Sequence, residues 1–352
     1  MKRVLIIGGG IVGATIAYEL SQTSQFQITV IDQDVPAEAS TGAALGILMG
    51  IISQKTKGRA WQLREVSMRR YPQLLEALRE QTGATVPHCQ GLIHLCFSEE
   101  ETGKWQELAK LRQEQGWTLE LWNLEQLQTN CPDLDLTGIT GAVYSPQDLQ
   151  VQPQALTQTL LKACQQNGVS CDWGVEATGI SVEESQGYTI ETNQGNYETD
   201  YLIIAAGLGS FPLTRHLQNP VTLRPVLGQA MRVRLPQPLN LPTVVTGDDT
   251  HIVPLGNADY WVGATVEFPD QPVETPIEKV WEKAVQFCPA LATGEIIETW
   301  SGKRPRPEGQ GAPVIQYLEG YERIIVATGH YRNGVLLAPA TAERVKEMIV
   351  SG

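Results

Sequence analysis

The chain has 352 residues, of which 42% are hydrophobic and 18% charged, and it carries a formal net charge of −13. Such a balance suits a globular protein large enough for two domains, and its sign argues against nucleic acid or an anionic membrane surface as a partner. No apolar run approaches the ~20 residues of a membrane span. The six cysteines lie in unrelated contexts without a C-x-x-C pair, and His88, His94 and His251 show no H-x-x-x-H spacing, so reduced thiols and no metal centre are expected.

The chain opens with an apolar strand, Val4 to Ile7, that runs into Gly8-Gly-Gly10-Ile-Val-Gly13 and then a helical pattern from Ala14 to Leu20. In such a turn Gly8 permits the tight bend, Gly10 lets the backbone approach a pyrophosphate, and Gly13 lets helix and strand pack closely. Glycines interrupt the N-terminal apolar run and no small-residue cleavage site follows, so a signal peptide is not expected and the protein reads as cytoplasmic. A second strand, Gln27 to Ile31, ends in Asp32, about 20 residues beyond the glycines. A carboxylate there accepts from ribose hydroxyls and repels a 2′-phosphate, which predicts FAD or NAD rather than NADP.

Pro36 to Gly50 is too glycine-rich for a core helix and too apolar for a solvated linker, as a backbone lying close against a flat ring would need, or as a loosely packed connector could be. Helices are expected over Trp61 to Leu78, Glu99 to Gln115 and Ala155 to Asn167, with strands at Gly91 to Phe97 and Val169 to Val175. Three short segments starting at Ile180, Tyr188 and Asn196 suggest a β-meander with turns at Ser185 to Gly187 and Asn193 to Gly195. Tyr201 to Gly207 is fully apolar and ends in small residues, the signature of a parallel central strand.

From Val221 to Trp300 the pattern alternates, at Gly228 to Arg234, His251 to Pro254 and Tyr260 to Thr265, which predicts an antiparallel sheet inserted into a discontinuous first domain. The end of the chain repeats the opening grammar. An apolar run from Ile324 leads into Gly329-His-Tyr-Arg-Asn-Gly334, and a helical pattern begins at Val335. Two glycine turns of this kind suggest two backbone cradles for one large phosphate-bearing cofactor. The second helix N-terminus, at Asn333-Gly334, would place partial positive charge where a reduced flavin collects negative charge.

With these motifs, and with Ser40-Thr41 to Gly46, Val262-Gly-Ala-Thr265 and Gly302-Lys-Arg304-Pro305, the chain resembles the D-amino-acid-oxidase-type flavoenzymes over Arg3 to about Ile349. Within that family it is most similar to the glycine oxidases of thiamine biosynthesis. The resemblance implies an α/β fold: a discontinuous Rossmann-type FAD-binding domain (1–80, 145–220 and 301–352) with an inserted α+β antiparallel-sheet substrate domain (81–144 and 221–300). It implies non-covalent FAD, with Ile11 and Val12 behind the pyrophosphate, Asp32 and Gln33 at the ribose, and Ser40 and Thr41 at the phosphates. Leu45, Gly46 and Ile47 would run beside the isoalloxazine, and Val175 would offer its backbone to the adenine. Ala206 and Gly207 would sit near the dinucleotide, with His330, Tyr331, Arg332, Asn333, Gly334, Val335 and Leu336 under the pyrimidine side of the flavin.

The family arginine matching Arg304 forks onto the substrate carboxylate, a geometry lysine cannot reproduce; a surface ion pair is the alternative. Prolines on either side of Arg306 favour a well-defined extended backbone there, while Lys303 and Arg306 themselves are expected to be solvated. Arg332 either adds charge near flavin and substrate or donates to backbone carbonyls. His251 stands where related enzymes carry a phenol, and is either a second carboxylate ligand titrating near neutrality or a structural strand residue. The implied reaction is oxidative deamination of glycine or another small amine by O2, giving an imine, a 2-oxo acid and H2O2. A D-amino-acid or sarcosine-type oxidase, a dehydrogenase and a non-catalytic flavin protein remain as alternatives, and a homo-oligomer is left open.

Overall fold

The computed structural model describes residues 1–183, 187–273 and 275–351, so Ser185 and Gln186 of the first meander turn lie outside the described residues. In chain order the elements begin with β1 (Lys2–Ile7), α1 (Ile11–Ser21), β2 (Phe26–Asp32), β3 (Ile47–Leu48) and α2 (Gly58–Thr82). There follow β4 (His88–Cys96), α3 (Glu99–Glu114), β5 (Glu120–Trp122), α4 (Leu124–Asn130), β6 (Gly141–Val151), α5 (Pro153–Gln166) and β7 (Ser170–Trp173). Next come β8 (Ala177–Glu183), β9 (Gly187–Thr192), β10 (Gly195–Thr199), β11 (Tyr201–Ile204), α6 (Ser210–Thr214), β12 (Leu223–Arg234) and β13 (Val244–Gly247). The rest are β14 (Thr250–Gly256), β15 (Asp259–Gly263), α7 (Ile277–Phe287), β16 (Glu295–Pro307), β17 (Val314–Tyr317), β18 (Ile324–Thr328) and α8 (Gly334–Ser351).

The first sheet has the order β17-β18-β11-β1-β2-β7 and is parallel except at β17. Its central strands are apolar on both faces because both are covered. Val4 and Ile6 of β1 join α1, α5 and α8 in one core, and Leu5 and Ile7 meet Tyr188 and Ile190 of the β10-β9-β8 meander in another. The strands come from three separated stretches of chain, as a discontinuous Rossmann-type domain requires.

The second sheet runs β16-β12-β15-β14-β13-β4-β6-β3, with β5 on β6, and is antiparallel except for the β13–β4 pair. It is larger than the 221–300 pattern predicts. The domain boundaries expected at 144/145 and 300/301 fall inside β6 and β16. Helix α7 was absent from the sequence reading, although Val280, Ala284 and Phe287 lie at the spacing of one helical face, which buries against Met231, Ile252 and Val262. The opposite face of the sheet, carrying Ala230, Trp261 and Trp300, looks towards the Ala43–Leu45 segment and the first domain.

Candidate active site

The glycine turn is shaped by close backbone approach. Gly8 has φ +116°, and a Cβ on Gly13 would stand 1.9 Å from the Gly8 carbonyl oxygen. Helix α1 begins at Gly10 with neither a side-chain cap nor an acidic residue in its first turn. Ile11 N donates to Thr41 Oγ1 at 3.1 Å, the one side-chain partner of this helix end among the described residues. A buried helix end with free N–H groups and partial positive charge is a seat for a pyrophosphate, so the residues present fit the dinucleotide.

Asp32 does more than the ribose role expected of it. Its Oδ2 accepts from Gly9 N at 2.6 Å and its Oδ1 from Asp34 N at 3.1 Å, so the carboxylate also braces the turn. Burial pushes its carboxyl up, and these N–H groups pull it back down. Gln33 beside it donates to Asp34 Oδ2 at 2.9 Å, and Val175 N donates to Asp32 O. Trp173, which the sequence reading passed over, pairs with Asp32 across β2 and β7 and sets its ring 2.9 Å from where a Gly9 Cβ would stand. On the other side of β1, the Gly207 carbonyl following Ala206 accepts from Thr328 Oγ1 at 3.0 Å.

The segment after Asp32 is held by protein contacts. Ser40 Oγ donates to Lys303 O on β16 at 2.7 Å, and Thr41 Oγ1 reaches the glycine turn. Two of its glycines lie hard against protein backbone. A Cβ on Gly42 would stand 2.3 Å from Ala37 O, and one on Gly46 1.9 Å from Val151 O. The segment is a fitted strap. Ala43 nests against Gly302 and accepts from Trp300 Nε1 at 3.1 Å, Leu45 lies over Gly263, and Ile47 pairs with β6.

Beyond it, the backbone of Gly50 to Lys55 is held by two buried charges. Asp148 accepts from Gly50 N, Ile51 N and Ile52 N, each at 2.8 Å, and from Ser145 Oγ. Arg112 donates from Nε to Ile51 O and from Nη2 to Ser53 O and Lys55 O, with its guanidinium 3.7 Å from the Trp61 ring. This backbone abuts Leu336 in the first turn of α8, with Val335 beside it, so the strap and the second helix N-terminus are built as one unit.

The turn before α8 is strained: Tyr331, a non-glycine residue, has φ +55°. Asn333 N donates to His330 O, which closes the turn on Gly334. Thr341 spends its proton on Leu337 O, so His330 donates to Thr341 Oγ1 from Nε2–H at 2.9 Å. Burial lowers His330 to about 3, and it is neutral. Arg332 is exposed, pairs with Asp249 at 3.5 Å, and lies close enough to depress the protonation of both Arg304 and His251.

Arg304 projects from β16 across the sheet face. Its Nη1 donates to Leu227 O at 2.9 Å and Thr265 O at 3.0 Å, and burial lowers its affinity for its proton. Nε and Nη2 have no protein partner among the described residues. His251 shares a proton with Thr246 Oγ1 at 2.7 Å. The near-neutral titration expected of it is not what the fold provides, because burial, assisted by Arg332, lowers it to about 4. His94 lies in the same sheet row beyond Thr246, with a buried Nδ1 that lacks a partner among the described residues and a ring 5.0 Å from Trp105.

A dinucleotide seat at the carboxyl edge of a parallel sheet, beside an antiparallel sheet that carries an arginine on its face, is the layout of a dinucleotide-dependent oxidoreductase. The chain belongs to the FAD dependent oxidoreductase family, whose sequence model matches residues 3–348. It is 34% identical over 99% of its length to the bifunctional protein ThiO/ThiG of Synechocystis, of which it covers 51%. It is 29% identical to the glycine oxidase of Bacillus licheniformis, covering 98% of this chain and 92% of that protein. The chain thus spans about half the length of its bifunctional relatives. The crystal structure of glycine oxidase from Geobacillus kaustophilus superposes with a TM-score of 0.89 at 27% identity, covering 100% of this chain and 95% of that one. Among the described residues no helix is long and apolar enough to cross a membrane, and no group of three metal-ligating side chains occurs.

Proposed function

We propose that the chain oxidises glycine or another small amino acid to its imine, which water hydrolyses to the 2-oxo acid and ammonia while O2 is reduced to H2O2. The observation that carries this is Arg304, a largely buried cation whose Nη1 is fixed by two carbonyls and whose Nε and Nη2 are left over for a ligand. Removed from water, such a cation calls for an anion, and its planar edge matches a carboxylate. FAD, once bound, would supply the two-electron acceptor.

The protein's own part is positioning. Arg304 fixes the carboxylate end of the substrate, and the strap from Ala43 to Ile47 sets the distance between the sheet face and the first domain. The α8 N-terminus at Gly334 favours negative charge opposite it. Burial lowers the proton affinity of His251 and His330 to about 4 and about 3, so each is a weak base near pH 7, and a substrate entering as the neutral amine needs none. Kinship to the ThiO/ThiG proteins supports a place in thiamine biosynthesis.

Turnover of glycine, sarcosine and small D-amino acids, with peroxide detection and anaerobic bleaching of the flavin, tests the proposal. Bleaching by glycine with peroxide formed in air is expected. Bleaching without peroxide would make the protein a dehydrogenase, and a yellow protein that no amine bleaches would make it a flavin carrier.

A further inference from the structure

The orientation of Arg304 is not explained by Arg304. On the same sheet face Gly228 of β12 pairs with Gly302 of β16, one step along from the Val226–Arg304 pair. The guanidinium folds back over Gly228: a Cβ there would lie 2.3 Å from both Nη1 and Nη2 and 2.4 Å from Cζ. Gly228 is not in the left-handed region, so its backbone would admit alanine, and the three atoms nearest to such a Cβ all belong to the guanidinium.

The far edge of β12 supplies the rest. Residues 265–267 continue beside it, with Glu267 N and Leu227 N each donating to the other's carbonyl at 2.9 Å, and Gln229 N donating to Thr265 Oγ1 at 2.8 Å. Buried Glu267 locks this arrangement by accepting from Gln229 Nε2 at 2.7 Å and from Thr265 Oγ1 at 2.5 Å. The result is two carbonyls, Leu227 O and Thr265 O, converging on one guanidinium nitrogen. Both Nη1 protons are thereby consumed, and the edge formed by Nε and Nη2 is what remains.

We propose that Gly228 is a positioning residue for substrate recognition: its missing side chain lets the Arg304 guanidinium lie flat on β12, spend Nη1 on the protein and present its Nε/Nη2 edge to a substrate carboxylate. This rests on the assignment of Arg304 as the carboxylate clamp. A side chain at 228 lifts the guanidinium off both carbonyls, leaving the charge present but misaimed. The fork loses its geometry before it loses its charge.

The test uses the FAD-loaded protein and two probes, glycolate and its carboxylate-free analogue glycolamide, titrated by perturbation of the flavin absorbance. Gly228→Ala should weaken glycolate about tenfold and Arg304→Ala roughly a hundredfold, with glycolamide affinity unchanged in both. In the double variant, adding Gly228→Ala to Arg304→Ala should cost glycolate less than about twofold, because the obstructing group is gone. Additive losses, or full glycolate affinity in Gly228→Ala beside a weakened Arg304→Ala, would overturn the inference. Undiminished glycolate binding in Arg304→Ala would instead remove the clamp itself, and the inference with it. If Gly228→Ala alone does not fold, the double variant decides: recovery of a folded, yellow protein supports the steric argument, and failure to fold defeats it.

Discussion

The pH dependence of ligand binding should carry no step from His251 in the range where an ordinary histidine titrates. Its folded-state value of about 4 leaves roughly one ring in a thousand protonated at pH 7. If it meets the substrate carboxylate it does so as a neutral donor, worth about 1 kcal/mol or roughly fivefold in affinity. Glycolate dissociation constants measured from pH 5.5 to 8.5 should therefore run parallel in the parent and in His251→Phe, offset by no more than that factor. The same burial has a thermodynamic sign. Because the unfolded ring, at about 6.5, binds its proton more tightly than the folded one, stability is undiminished above pH 6.5 and falls as pH drops towards 4. The shift corresponds to about 3 kcal/mol, lost progressively across that window. Urea unfolding at pH 7 and at pH 4 should show a smaller pH difference in His251→Phe than in the parent by about that amount; comparing differences cancels the constant cost of unpairing Thr246. A step in glycolate affinity centred between pH 6 and 7 that disappears in His251→Phe would refute the reasoning, since it would require a ring exposed enough to charge.

Three further outcomes follow from the site. Asp32→Ala should weaken FAD by roughly 2–4 kcal/mol, and, because the carboxylate also holds Gly9 N, it should lower the thermal midpoint of the apoprotein as well. An unchanged apoprotein midpoint would return Asp32 to a purely ribose-binding role. Asp148→Ala leaves three buried backbone N–H groups without an acceptor and should cost about 3–5 kcal/mol in urea unfolding, with Asp148→Asn recovering part of it; a loss below about 1 kcal/mol would mean that the strap relaxes freely. Acid precipitation of the holoprotein should release all the yellow colour, because the cysteines of the described chain are mostly buried, with thiols that burial pushes up at Cys96, Cys131, Cys164, Cys171 and Cys288. Colour retained in the pellet would indicate a covalent flavin.

What could be read from the sequence and what could not divide along a physical line. The glycine turn, Asp32, the parallel strand at Tyr201 and the turn before Gly334 were legible because each is a local event: a bend, a strand end or a helix start written in consecutive residues. Arg304 was legible through its motif, but its orientation was not. That depends on Gly228, 76 positions away along the chain, and on Thr265 O, both brought close only by the register of β12 with β16 and with residues 265–267. The Ser40 bond to Lys303 O was hidden for the same reason. A hydroxyl beside a phosphate-binding turn has two plausible acceptors, and the one it found, Lys303 O, belongs to a strand whose register no local pattern encodes. The His251 expectation erred on environment, since an isolated histidine in a sequence carries its solution value by default. The fold changes that value by packing, and by setting Arg332 nearby.

Asp148 and Arg112 make the line sharper. Both are charges at positions that read as ordinary surface chemistry, yet both are buried, and their partners are backbone groups of Gly50 to Lys55. A side chain that recognises another side chain leaves a pair of letters to be noticed, whereas one that recognises backbone leaves a single letter, because any sequence offers the same N–H and C=O groups. The parts of this site that hold Arg304, the strap and the glycine turn in place are mostly of the second kind. They emerge only when the sheets are assembled, which is why the cofactor seat could be expected from the letters while the supports that aim the chemistry could not.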